Sequence, residues 1–185
     1  GIISISIALI MLSTLMISIG LNGYSALQQA YVKLDINVES KNVLDENGEF
    51  SNKKALLFNW DGIVSKSFIS NFPEVSKRSE KRSLRKLMSS NAGYELRQYF
   101  QRNPNQLDKK ITLWLTASDD FDQHMKGRFN TKVEEKDRRL SNQQLKWIDF
   151  LSKNRIADLK FNTGFFTNAD SREPESAGIL GAVVG

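Results

Sequence analysis

The chain predicts a mixed α+β fold: an N-terminal transmembrane helix, an α+β domain outside the membrane, and the start of a second transmembrane helix. Three observations predict it. Ile2 to Leu21 is an uncharged, mainly apolar run, and no charge precedes Lys33. The middle of the chain alternates between apolar patterns of period two and patterns of helical period. Every charged residue lies between Lys33 and Glu175, after which the chain is apolar again. On this reading residues 1–28 form the membrane helix, 29–160 the α+β domain, and 161–185 a loop and the start of a further membrane segment.

The first run reads IISISIALIMLSTLMISIGL. At about 1.5 Å per residue it spans roughly 30 Å, the hydrocarbon thickness of a bilayer. Ser4, Ser6, Ser13, Thr14 and Ser18 soften it, but hydroxyls can bond back to the helix's own carbonyls. A cleaved signal peptide is the main rival. Its apolar core is usually only about 7–15 residues long and ends at a small-residue cleavage site, for which Ser25-Ala26 is a weak candidate. We favour a retained helix. Charge does not orient it, because the positive-inside rule governs loops shorter than about 60 residues.

Along the middle segment, Val32, Leu34, Ile36 and Val38 alternate with polar residues from Tyr31 to Val38 and predict a half-buried strand. Asp45-Glu46-Asn47-Gly48 marks a turn. The apolar run Ala55–Trp60 that follows is expected to be a second strand, and Ile111, Leu113 and Leu115 mark a third. Pro73 to Arg102 reads as helix, broken near Asn91-Ala92-Gly93 and ended by Asn103-Pro104. One apolar face holds Leu84, Leu87 and Met88; the next holds Ala92, Leu96, Tyr99 and Phe100. Leu140 to Asn154 carries the best local signal: Ser141 and Gln144 at capping-box spacing, a Leu140–Leu145 staple, and Trp147, Ile148, Phe150 and Leu151 on the buried side.

Composition narrows the function. With 185 residues and a net charge of +5, the chain has room for one ordinary domain plus membrane segments, and its basic character belongs to that domain. The absence of cysteine excludes disulfide frameworks and thiolate metal sites. Gly1 in place of an initiator Met and the apolar final run lead us to expect a piece of a longer protein.

The basic run Lys77-Arg78, Lys81-Arg82, Arg85-Lys86 could meet nucleic acid, anionic lipid or phosphate. It lacks interleaved aromatics for stacking, so we expect no nucleic-acid partner and read it first as a solvated helix face. A weaker reading is that it recruits phosphate or docks an acidic surface. Asp119, Asp120 and Asp122 invite a hard cation, but no EF-hand spacing surrounds them, and Ser118 and Asp119 read more simply as helix caps. His124, the one histidine, has no evident nucleophile or metal partner. No glycine-rich phosphate loop and no catalytic constellation is present, so we expect no catalytic residue, no metal and no cofactor in this chain.

The closing stretch, FNTGFFTNADSREPESAGILGAVVG, is the most specific. Pro174 suits the first turn of a helix, and Glu173 and Glu175 suit its positive end. Ala177, Gly181 and Gly185 recur every four residues, with Gly178 and Ala182 alongside, a spacing that lets membrane helices pack closely. These words, FFT, DSREPE and AGI-GA-VG, resemble the stretch before the first core membrane helix of phosphate ABC transporter permeases of the PstA type. LMSSNAGYELR, WLTASDDFD, Lys126-Gly127 and LSNQQLKWIDFL resemble the large insert found in a subset of that family.

The resemblance implies an inner-membrane permease subunit with its N-terminus cytoplasmic and its middle domain extracytoplasmic. Its partners would be a second permease subunit, two ATPase subunits that use the ATP, a phosphate-binding protein and membrane lipid. Asp170, Ser171, Arg172 and Glu173 would lie at the outer mouth of the pathway. Cap and membrane anchor is their first reading, with Arg172 and Ser171 as candidate phosphate contacts. The alternatives are the sensor domain of a membrane receptor and a secreted binding protein with a signal peptide.

Overall fold

The structure, a computed structural model, describes residues 1–129 and 133–162. Helix α1 (Ile2–Ala26) is continuous for 25 residues. Ser6 and Thr14 donate to the carbonyls of Ile2 and Ile10, as expected of hydroxyls in an apolar helix. Its apolar side chains are exposed on every side, and its length, with a mean hydropathy of 2.5 over an 18-residue window, suffices to cross a membrane.

One residue, Leu27, separates α1 from β1 (Gln28–Ile36), the central strand of a three-stranded antiparallel sheet. The other strands are β2 (Ile111–Thr116) and β3 (Ala157–Phe161). The registers Val32↔Leu115, Leu34↔Leu113 and Ile36↔Ile111 stack apolar pairs on one face. Lys33↔Trp114 and Asp35↔Thr112 fall on the other, a one-sided pattern that leaves a single face for helices to cover. On the open face the Lys160 ammonium lies 3.8 Å from the Trp114 ring centre, a cation–π contact across the sheet.

The mixed α+β class is therefore observed, with four differences from expectation. Ala55–Trp60 is not a strand. It divides between α2 (Asn52–Leu57) and the start of α3 (Trp60–Ile69). Ser51 caps the first by accepting from Lys54 N–H, and Asn59 caps the second by accepting from Gly62 N–H. Leu56 and Leu57 stay exposed, so the apolar run has no sheet to enter.

The third strand of the sheet is instead β3, which was not expected. The break in the Pro73–Arg102 region is also wider than a single turn. Helix α4 (Arg78–Arg85) ends before Lys86, and α5 (Ala92–Arg102) begins six residues on. Met88 in the connector makes a β-bridge to Ala117; Ser89 N–H donates to Thr116 O at 3.1 Å, and Ser118 N–H to Leu87 O at 3.0 Å. The connector thus closes the C-terminal end of the β2 edge.

Helix α6 (Asp119–Met125) is capped by Ser118, and α7 (Asn142–Lys153) by the Ser141–Gln144 capping box, both as expected. Phe150, expected to be buried, is 44% exposed, with its ring against that of Phe72. Short 3-10 turns occupy Ser40–Asn42, Pro104–Gln106 and Glu135–Asp137. The core joins Val32, Leu34 and Ile36 to Phe68, Phe72, Leu84, Leu96, Phe100, Phe121, Ile148 and Leu151, all essentially fully buried.

Where the domain begins and ends positions everything else. Gln28 pairs with Phe161, and Asn162 N–H donates to Leu27 O at 2.7 Å. The last described residue thus lies beside the point at which α1 hands over to the sheet.

Candidate functional site

Arg82, Arg85 and Lys86 stand at positions i, i+3 and i+4 of α4 and its C-cap, so one helix face presents all three cations. They line a cleft of about 430 Å³, within the usual size of small-molecule sites. Asp61, Val64 and Ser65 of α3 form the facing wall; Met88, Ser89, Ser90 and Ala92 complete it. Val64, Met88, Ser89 and Ala92 are buried and give a mainly apolar floor, while the three cations and Asp61 form an exposed rim. None of the three cations has an ion-pair or hydrogen-bond partner among the described residues.

Like charges at this spacing repel by about 0.2–0.5 kcal/mol per pair. The negative C-terminal end of α4 offsets part of that. The remaining cations of the run, Lys77, Arg78 and Lys81, do not line the cleft. The expected solvated face is thus half of the picture, and the other half borders a cavity.

Asp61 is placed by close packing. A Cβ added at Gly93 would sit 2.1 Å from Asp61 Oδ1, so glycine lets α3 and α5 approach here. The carboxylate lies against the first turn of α5, where negative charge is favourable.

The acidic trio does not converge. Asp119 accepts from Gln123, Asp120 faces Arg139 at 3.4 Å, and Asp122 turns inward. Asp122 Oδ1 accepts from Ala30 N–H at 2.8 Å, and its other oxygen meets Lys126 Nζ at 2.6 Å, with both side chains almost wholly buried. This buried pair was missed; the i,i+4 spacing of Asp122 and Lys126 was its signal. Among the described residues no group of His, Cys, Asp and Glu could hold a metal. His124 does have a partner that sequence reading missed, Asp149 at 3.3 Å, with Phe129 edge-on. Asp149 lies on another helix, so no local spacing announces it.

Two ionisable groups of the sheet are shifted. Burial, with the Glu95 carboxylate nearby, pushes the Tyr31 phenol above its ordinary range. Glu95 is held there because it accepts from Thr116 N–H at 3.1 Å. Asp35, on the open face, is held below the usual carboxylate range by hydrogen bonds from Lys110 and Thr112. The candidates Asp170, Ser171, Arg172, Glu173, Pro174 and Glu175, and the packing series Ala177, Gly178, Gly181, Ala182 and Gly185, lie outside the described residues.

The fold and cleft define a class: a small α+β domain carried on a long apolar helix, with a cationic cleft. Residues 1–135 match the family described as Domain of unknown function (DUF3333). That is well over half of the 185-residue chain, and the chain belongs to this family. No curated protein and no solved structure matches it.

Proposed function

We propose that the chain is the N-terminal part of the membrane permease subunit of an ATP-driven phosphate import system, with its α+β domain on the outer side of the membrane. The observation that carries this reading is the adjacency of the domain's two ends, Leu27 and Asn162. A domain whose ends meet can be inserted between two consecutive membrane helices without forcing them apart. An apolar α1 uncovered on every side and the DSREPE…AGILGAVVG phrase support the same reading. In it the chain is no enzyme: ATP is hydrolysed by partner ATPase subunits, and the piece alone does not transport. On this reading Asp170, Glu173, Pro174 and Glu175 are the candidate membrane anchor, and Arg172 and Ser171 the candidate phosphate contacts.

The test is phosphate uptake and composition in cells. The whole tagged protein is expected to co-purify with a second permease and an ATPase subunit, and its deletion to lower uptake. Arg172→Ala is expected to weaken uptake while leaving assembly intact. Unchanged uptake after deletion, with no ATPase co-purifying, would overturn the reading. The cleft favours a second reading, the outward sensor domain of a membrane receptor; there, a signalling module and no further membrane helices would follow Gly185.

A further inference from the structure

We infer that the cleft between α3, α4 and the start of α5 binds an organic phosphate, a phosphate head carried on an apolar body. The inference stands whether or not the permease reading does. Three cations against one carboxylate leave the rim with a net charge of about +2, which matches a phosphate monoester of about −1.5 to −2 at neutral pH. A single carboxylate would leave half of that charge unanswered. Guanidinium groups suit phosphate because their paired N–H groups meet two of its oxygens at once. Asp61 competes little, since it lies against the first turn of α5.

Hydroxyls complete the head site. Ser65, Ser89 and Ser90 line the same cleft. Ser89 Oγ accepts from Asn91 N–H at 3.1 Å, which leaves its own proton free to donate. The buried Val64, Met88 and Ala92 would be wasted on inorganic phosphate, which has no apolar surface; they ask for a body attached to the head. The floor is preformed, because the connector carrying Met88 and Ser89 is tied to Ala117 and Thr116.

Two sources share this chemistry: a soluble phosphate monoester and the monoester headgroup of phosphatidic acid. Ala117 N–H donates to Ala30 O at 2.9 Å. Ala30 lies four residues after the end of α1 at Ala26, at most about 13 Å along the chain, so a headgroup is within reach of this end of the domain.

The full chain in dodecyl maltoside micelles, titrated calorimetrically, distinguishes the outcomes. Phenyl phosphate is expected to bind, inorganic phosphate more weakly and phenol not measurably. Arg82→Ser with Arg85→Ser is expected to weaken phenyl phosphate by at least about tenfold, the loss that follows removal of a charge-assisted hydrogen bond. Lys77→Ser with Arg78→Ser, on the same helix but off the cleft, is expected to leave affinity unchanged. Both doubles change exposed side chains, and circular dichroism checks that each folds.

Nanodiscs then separate the sources. If phosphatidic acid discs suppress phenyl phosphate binding relative to phosphatidylglycerol discs, which are anionic but carry only a phosphodiester, the headgroup is the occupant. Equal binding in both assigns the site to a soluble ester. Absence of phenyl phosphate binding in micelles and in phosphatidylcholine discs, or equal losses in the two double variants, overturns the inference.

Discussion

Asp122 carries two obligations in the interior, and replacing it by Ala leaves both unmet. Its carboxylate accepts the Ala30 N–H of the central strand at 2.8 Å and meets the Lys126 ammonium at 2.6 Å. The two side chains are only 3% and 6% exposed, so water does not replace the lost partner. Breaking a buried ion pair from one side costs about 3–5 kcal/mol, because the surviving charge is stranded. The whole domain should have only about 5–15 kcal/mol to lose. The exposed pair Glu39–Lys41, more than half exposed on both sides, sets the contrast: its loss should leave stability almost unchanged.

Urea unfolding of the chain in a mild non-ionic detergent, followed through the buried Trp60 and Trp147, measures both. Asp122→Ala should lower the midpoint strongly without changing the slope. Asp122→Asn with Lys126→Met, which removes both charges but keeps an acceptor for Ala30, should recover most of the loss. An Asp122→Ala variant within about 1 kcal/mol of the wild type, or a double variant no better than the single, would refute the argument.

Gly93→Ala should destabilise by about 1–3 kcal/mol through overpacking, since the new methyl would lie 2.1 Å from Asp61 Oδ1 and 3.0 Å from the Asp61 backbone nitrogen; Asp61→Gly in the same chain should relieve the side-chain part, measured by thermal unfolding. Arg155 holds a φ of 56° just after α7, where Arg155 N–H donates to Ser152 O and Ile156 N–H to Leu151 O. Arg155→Gly should therefore raise stability by about 0.5–1 kcal/mol, and a lower melting temperature would contradict this. Tyr31 binds its proton more tightly folded than unfolded, so the stability it contributes is full below about pH 10 and is lost as pH rises through its higher folded value. Tyr31→Phe should accordingly lose less stability than the wild type between neutral and strongly alkaline pH in a denaturant titration.

Local signals in the sequence were legible where the chemistry is local. The Ser141–Gln144 box, the alternation of β1 and β2, and the Ser118 cap each involve neighbours within a few residues. Ala55–Trp60 failed because a short apolar run has the same appearance in a strand and in a helix; the caps Ser51 and Asn59 on either side were the better evidence. In β3, Ala157, Leu159 and Phe161 do alternate with Asp158 and Lys160, but Phe161 also opens the aromatic, turn-rich sequence FNTGFF, and that pattern reads locally as a loop. The spacing of Arg82, Arg85 and Lys86 was readable; that α3 supplies Asp61, Val64 and Ser65 opposite them was not. Contacts between elements distant in sequence have no local signature, which is also why His124–Asp149 went unseen.

The meeting of the domain's two ends can be tested by a covalent bond, and the same bond reports on which side of the membrane the domain lies. Gln28 and Phe161 are direct partners in the antiparallel ladder. Asn162 N–H donates to Leu27 O in the next rung, which makes Gln28–Phe161 a non-hydrogen-bonded pair, with Cα atoms about 4.5 Å apart. That separation lies at the near end of the range a disulfide accepts, about 4.4–6.8 Å. The chain has no other cysteine to compete. Gln28→Cys with Phe161→Cys should therefore close without disturbing the strands. The loop it closes is long enough to stabilise by up to about 5 kcal/mol in the chain-entropy limit, read as a rise in melting temperature that reductant reverses. Disulfides persist outside the cytoplasm and are reduced within it. Thiol-blocking lysis should find the bond already formed in cells if the domain faces outward. Finding free thiols in cells, but ready closure of the purified protein by oxidant, would leave the fold intact and overturn the outward topology. Failure to close in both settings would remove the adjacency itself, and with it the case for an insert between neighbouring membrane helices.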